Sequence, residues 1–176
     1  MSSSDDDPLA PISPAELTSL IDDSEGATRV LRCRTVATGG FRQEHHIRDL
    51  APFEAASGRQ DGLLGEESAP TPSELLLAAL GSCVVIGIRA NAVARSIPIS
   101  QLELILSAEM NFGALWGTGD LDVKPIGFED ISITAHIGSG APRYVLQALL
   151  DHVLIWSPVA NSLHNPISLT AALAEA

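Results

Sequence analysis

Apolar positions fall into three kinds of pattern along the chain. From Gln101 to Phe112 they alternate, with Leu102, Leu104, Leu106, Ala108, Met110 and Phe112 on one face and Glu103, Ser107, Glu109 and Asn111 on the other, which predicts a half-buried strand. Ile131, Ile133, Ala135 and Ile137 repeat that period within Glu129 to Ile137, so a second strand follows after a Gly-rich loop. Thr28 to Ala37 also alternates and is rich in β-branched residues, with Leu31, Cys33 and Thr35 on one face and Arg32 and Arg34 on the other. Gly39-Gly40 breaks it, and a partner strand is expected from Arg42 to Asp49. Between Leu75 and Ile88, by contrast, large apolar side chains point all around a helix.

That helix has a well-defined beginning. Thr71-Pro72-Ser73-Glu74 places a capping hydroxyl, a proline at the first helical position and a carboxylate three residues on, and the helix is expected to run to about Arg95. Its large apolar run is shorter than the ~20 residues of a bilayer span, so burial inside protein is expected, with partners on several sides. Ser13-Pro14-Ala15-Glu16 starts a short helix to about Asp22 in the same way. Pro142 opens a helix to about Trp156, which must stop before Pro158, leaving Ser157 as the cap of a new turn. Leu50 to Ala69 reads as a long connection, and Ile167 to Ala171 as a last short strand. The order of two strands, a long helix, two strands, a helix and a short strand gives an α+β fold with antiparallel sheet, since one-to-one alternation of strand and helix is missing.

Composition narrows the function. A chain of 176 residues, 45% apolar, suits one compact unit. Ten basic residues against 22 acidic ones disfavour a nucleic-acid binder. Seven of the acids lie in the first 25 residues, which hold no Lys or Arg, so the acidity is concentrated in an arm. An acidic, polar N-terminus is unlike a signal peptide, and with only two cysteines a disulfide scaffold is excluded, so a reducing cytoplasm away from membranes is expected.

Few residues offer chemistry. His45 and His46 face opposite ways on their strand, and His136, His152 and His164 lack helical metal-site spacing, so no metal and no cofactor is expected. Nucleotide-binding glycine fingerprints and the G-x-S-x-G elbow are missing, and the one lysine, Lys124, sits in a loop. Trp116 and Trp156 read as packing residues. Cys33, with both neighbouring arginines on the other face, reads as core. Cys83 lies mid-helix beside Gly81 and Ser82, whose small side chains leave room near the sulfur.

The segment APTPSELLLAALGSC, Ala69 to Cys83, resembles the helix of the OsmC/Ohr family, in which a Pro-rich entry and a Glu precede a reactive cysteine. SPVANSLHNPI, Ser157 to Ile167, resembles the segment where peroxidatic members carry Cys-Pro and the resolving cysteine, here in a Ser-Pro-Val branch. Thr38-Gly39-Gly40 and Asp49-Leu50-Ala51-Pro52 also match, so the resemblance runs in order over roughly residues 28 to 172. It implies an OsmC-like fold with a long buried central helix, an acidic arm over residues 1–25 and a single domain over 26–176. It further implies an intertwined homodimer with two equivalent sites at the interface, and thiol-dependent reduction of organic hydroperoxides in oxidative stress.

Carried over residue by residue, Cys83 falls on the peroxidatic position and Ser157 on the resolving one, which removes the internal disulfide. The aligned Glu position holds Ser73. Glu74 is one place later, nine residues before Cys83, about 13.5 Å and 900° along a helix and so on the opposite face. Only a second chain brings them together. The arginine expected directly after Gly-Gly appears one residue late as Arg42, with Arg48 as a second choice. These residues imply one-cysteine chemistry on a small apolar, peroxide-like or sulfur-containing molecule. The rival reading is a non-catalytic dimer that binds a small apolar ligand, its redox activity lost. A third reading makes Cys33 the resolving thiol.

Overall fold

Nine elements form in the computed structural model, which describes residues 12–23, 28–56, 69–111 and 127–174. They are α1 (Pro14–Asp22), β1 (Arg34–Gly39), β2 (Arg42–His46), β3 (Phe53–Ala56), α2 (Pro72–Ala94), β4 (Gln101–Asn111), β5 (Gly127–Gly138), α3 (Arg143–Trp156) and α4 (Pro158–His164). This is the α+β class with antiparallel sheets and a long central helix. The chain divides into two units, residues 18–80 and the rest, with the divisions falling inside α1 and α2.

The unit of residues 18–80 holds a three-stranded antiparallel sheet in the order β1-β2-β3. Its first turn needs glycine: Gly39 and Gly40 have φ of +144° and +54°, conformations that a side chain disfavours, and the register shifts there between Ala37 and Gly39. One face of the sheet carries Thr35, His45 and Phe53 side by side. Thr35 Oγ1 lies 3.0 Å from His45 Nδ1, and the His45 ring stacks on Phe53 at 5.0 Å. The other face carries the Arg42–Glu54 ion pair at 3.4 Å and the His46–Glu44 contact at 2.6 Å.

The other unit is built on the long hairpin of β4 and β5, paired from Gln101↔Gly138 to Asn111↔Gly127 with a bulge after Glu109. Leu102, Leu104 and Leu106 face Ile137, Ala135 and Ile133 across the ladder, so the alternation read in both strands converges on one half-buried face. Leu149 and Val153 of α3 are buried, as are Val84, Ile88 and Ala92 of α2, each row repeating every four residues. Two helical glycines set the spacing between these layers. A Cβ at Gly87 would stand 2.6 Å from Val153 Cγ1, and one at Gly81 would stand 3.1 Å from Leu106 Cδ1.

Several sequence expectations need correction. The first strand begins at Arg34 rather than Thr28, and Cys33 just before it is exposed, not core, since residues 28–33 are exposed among the described residues. The connection after Leu50 contains β3, which forms because β2 offers it a free edge, from Arg42↔Ala56 to His45↔Phe53. Residues 167–171 form no strand; they are exposed and have no ladder partner among the described residues. Within one copy of the chain, α2 buries Val84, Ile88 and Ala92, and Ile86 on the opposite side is 69% exposed. The acidic arm through residue 11, the middle of the long connection (57–68), Phe112 and the loop holding Trp116 and Lys124 lie outside the described residues.

Candidate functional site

The backbone brings Cys83 and Ser157 together across 74 residues of sequence. Cys83 sits less than one turn of α2 after Leu80, one residue before the buried Val84. Ser157 is the residue between α3 and α4, four places after Val153 and 4% exposed. Gly87 meets Val153 and Cys83 meets Ser157, a step of four along each segment taken in opposite directions. Helices α2 and α3 therefore run in opposite senses at their contact, and their length fixes which residue faces the sulfur.

Ser157 Oγ lies 3.2 Å from Cys83 Sγ and donates to it. The same oxygen accepts the backbone N–H of Ala160 at 3.2 Å, capping α4, whose first residue is Pro158. Asn161 reinforces the junction. Its Nδ2 donates to the carbonyls of Ile155 at 2.8 Å and Ser157 at 2.9 Å, and Asn165 Nδ2 donates back to Asn161 O at 3.0 Å and Oδ1 at 3.3 Å. Sequence reasoning missed Asn161.

Cys83 is partly exposed. The room expected beside it at Gly81 is taken by Leu106, so of its two small neighbours only Ser82 opens outward. Glu74 has a different occupation: its Oε2 accepts from Thr71 N at 2.7 Å and Thr71 Oγ1 at 2.8 Å, while its own N–H donates to Thr71 Oγ1 at 3.2 Å. This reciprocal cap holds its carboxyl below the usual carboxylate range, chiefly through the Thr71 backbone bond and then the hydroxyl. Arg42 pairs with Glu54 on the three-stranded sheet. Arg48 occupies an exposed turn with φ of +52°, a conformation uncommon outside glycine. Among the described residues no group of three or more His, Cys, Asp or Glu side chains is placed to hold a metal.

The family model described as OsmC-like protein matches residues 65–172, more than half of the chain. The chain belongs to the OsmC-like family. An OsmC-like protein from Mycoplasma pneumoniae superposes with a TM-score of 0.64 at 17% identity, covering 78% of this chain and 89% of that one. An organic hydroperoxide resistance protein OsmC from Legionella pneumophila gives 0.59 at 19% identity, covering 78% and 90%. An organic hydroperoxide resistance protein from Elizabethkingia anophelis gives 0.58 at 14% identity, covering 78% and 89%. No curated protein matches in sequence. At these identities the superpositions speak for the fold, and membership in the OsmC-like family accounts for α2. Its 23 residues pass for a membrane span by length and hydropathy, yet the helix lies within the region the family shares.

Proposed function

We propose that this OsmC-like protein is a cytoplasmic homodimer that reduces small organic hydroperoxides with one cysteine. The observation that carries this reading is the Cys83–Ser157 contact: the residue facing the sulfur is a hydroxyl, donated into it, where a two-cysteine enzyme needs a thiol. The Cys83 thiolate attacks the outer oxygen of R–O–O–H, the O–O bond breaks, and the alkoxide leaves as R–OH after taking a proton. Cys83 is left as the sulfenic acid. Ser157 supplies no electrons, so a small external thiol must condense with it, releasing water and forming a mixed disulfide. A second thiol then displaces Cys83 and carries the oxidation away as its own disulfide. The one-sided burial of α2, with Ile86 exposed opposite the row of Val84, Ile88 and Ala92, supports a second copy as cover.

The test combines turnover and mass. An organic hydroperoxide with excess glutathione or dithiothreitol should be consumed by the wild type and by Cys33→Ser, and not by Cys83→Ser. Light scattering should return twice the chain mass. Absence of Cys83-dependent consumption with every thiol tried rejects the enzyme reading.

A second reading has its own support. Glu74 is committed to Thr71 and Arg42 to Glu54, so the two residues nearest the positions of the family's thiolate helpers have other partners. On that reading the dimer binds a small apolar ligand without turning it over, and Cys83→Ser leaves ligand affinity unchanged.

A further inference from the structure

We infer that the Ser157 hydroxyl is a catalytic hydrogen-bond donor to the Cys83 sulfur, and that Asn161 is the positioning residue that aims it. The inference rests on Cys83 being the reacting atom, as proposed above, and assigns the neighbouring residue an electrostatic duty in place of a redox one.

A serine hydroxyl has one proton and two acceptor lone pairs. At Ser157 the N–H of Ala160 occupies a lone pair, so the proton is left for the sulfur 3.2 Å away. A bond of this kind gains strength as negative charge gathers on the acceptor, and the low exposure of Ser157 keeps water from competing for it. The donor is thus oriented before the charge exists, which is the arrangement that lowers a barrier without reorganisation.

Nothing in a one-residue link between helices obliges its serine to point at α2. The aim comes from Asn161, whose two amide hydrogens engage one carbonyl at the end of α3 and one at the cap of α4, locking the angle between the helices. Asn165 in turn occupies Asn161 Oδ1, which settles the amide with its nitrogen toward those carbonyls. The chain of control runs from Asn165 through Asn161 to the Ser157 backbone, its hydroxyl and the sulfur.

The experiment uses full-length protein carrying Cys33→Ser, so that Cys83 is the one thiol. Two rate constants are measured at neutral pH: alkylation by iodoacetamide, and sulfenic acid formation with an organic hydroperoxide, trapped by dimedone and followed by mass. Ser157→Ala should slow alkylation about tenfold, the usual worth of a hydrogen bond to a charged group. Because that change also removes the α4 cap, Ser157→Asp separates the two roles: a carboxylate still caps α4 but donates nothing and sets a negative charge beside the sulfur, so this variant should alkylate more slowly than the alanine variant. Ser157→Thr should restore the parent rate within about threefold, as a hydroxyl donor is retained. Asn161→Ala should slow the reaction in the same direction by less, and the Ser157→Ala/Asn161→Ala double variant should be no slower than Ser157→Ala alone, since Asn161 acts only through the hydroxyl. Alanine or aspartate at 157 alkylating at the parent rate overturns the donor role, as does a parent Cys83 inert to iodoacetamide. Multiplicative losses in the double variant overturn the positioning role. Alkylation needs no peroxide, so a site that alkylates as described but ignores hydroperoxides sustains this inference while rejecting the peroxidase.

Discussion

Gly87 of α2 and Val153 of α3 share one volume: a methyl group added at 87 would sit 2.6 Å from Val153 Cγ1, closer than carbon atoms approach. Val153 is buried and β-branched, so it has no rotamer by which to withdraw. Gly87→Ala therefore sets an overpacking cost of about 1–3 kcal/mol against a helix-propensity gain of about 1 kcal/mol, and net destabilisation is expected. Urea denaturation of the single variant and of Gly87→Ala/Val153→Ala checks it, the pair losing less than the sum of its parts.

Gly81 makes the opposite case. Its added methyl would meet Leu106 Cδ1 at 3.1 Å, the far end of a flexible side chain on a half-buried strand face. A shift of a few tenths of an ångström removes the conflict, so Gly81→Ala should be neutral or stabilise by up to about 1 kcal/mol. A fall in Tm would mean that β4 and α2 are held more rigidly than their side chains suggest.

The start of α2 should titrate. The Glu74 carboxyl is held below its ordinary value of 4.5, so the cap contributes fully above that pH and is lost as pH falls through the lower folded value. At pH 7 Glu74→Gln should melt below the wild type, and the gap should close as pH falls through the lowered folded value, below which the protonated acid and the amide carry the same charge. A gap of constant size across that range would show that the carboxylate charge is irrelevant to the cap.

The two thiols should sort by reagent. Cys33 is exposed while Cys83 is partly covered and bonded to Ser157, so a bulky maleimide should tag Cys33 first in the native protein. Organic hydroperoxide should oxidise Cys83 first. Peptide mass mapping after limiting treatment distinguishes the two orders, and maleimide preference for Cys83 would contradict the exposures described.

Legibility in the sequence tracked how local each cause was. Thr71, Pro72 and Glu74 lie within four residues, and their hydrogen bonds form as the spelling predicts. The β4 and β5 alternation was plain because each strand is long and covered on one face. β3 was not, since Phe53–Ala56 is four residues in a loop-like stretch and owes its form to the edge of β2. Cys33 was misjudged because alternation shows that a face is apolar without showing that anything packs on it. At the site, the resemblance aligned Ser157 with a redox position, but the aim of its hydroxyl depends on where α3 returns along α2, and no short-range signal announces Asn161.

The 74-position separation of Cys83 and Ser157 also sets a schedule. At about 5–20 residues per second of synthesis, the sulfur leaves the ribosome seconds ahead of the hydroxyl that will face it, and everything from β4 through α3 must be made and docked in the interval. A chain cut short after Trp156 would carry the thiol without its companion, so the site is assembled only once synthesis has passed α4.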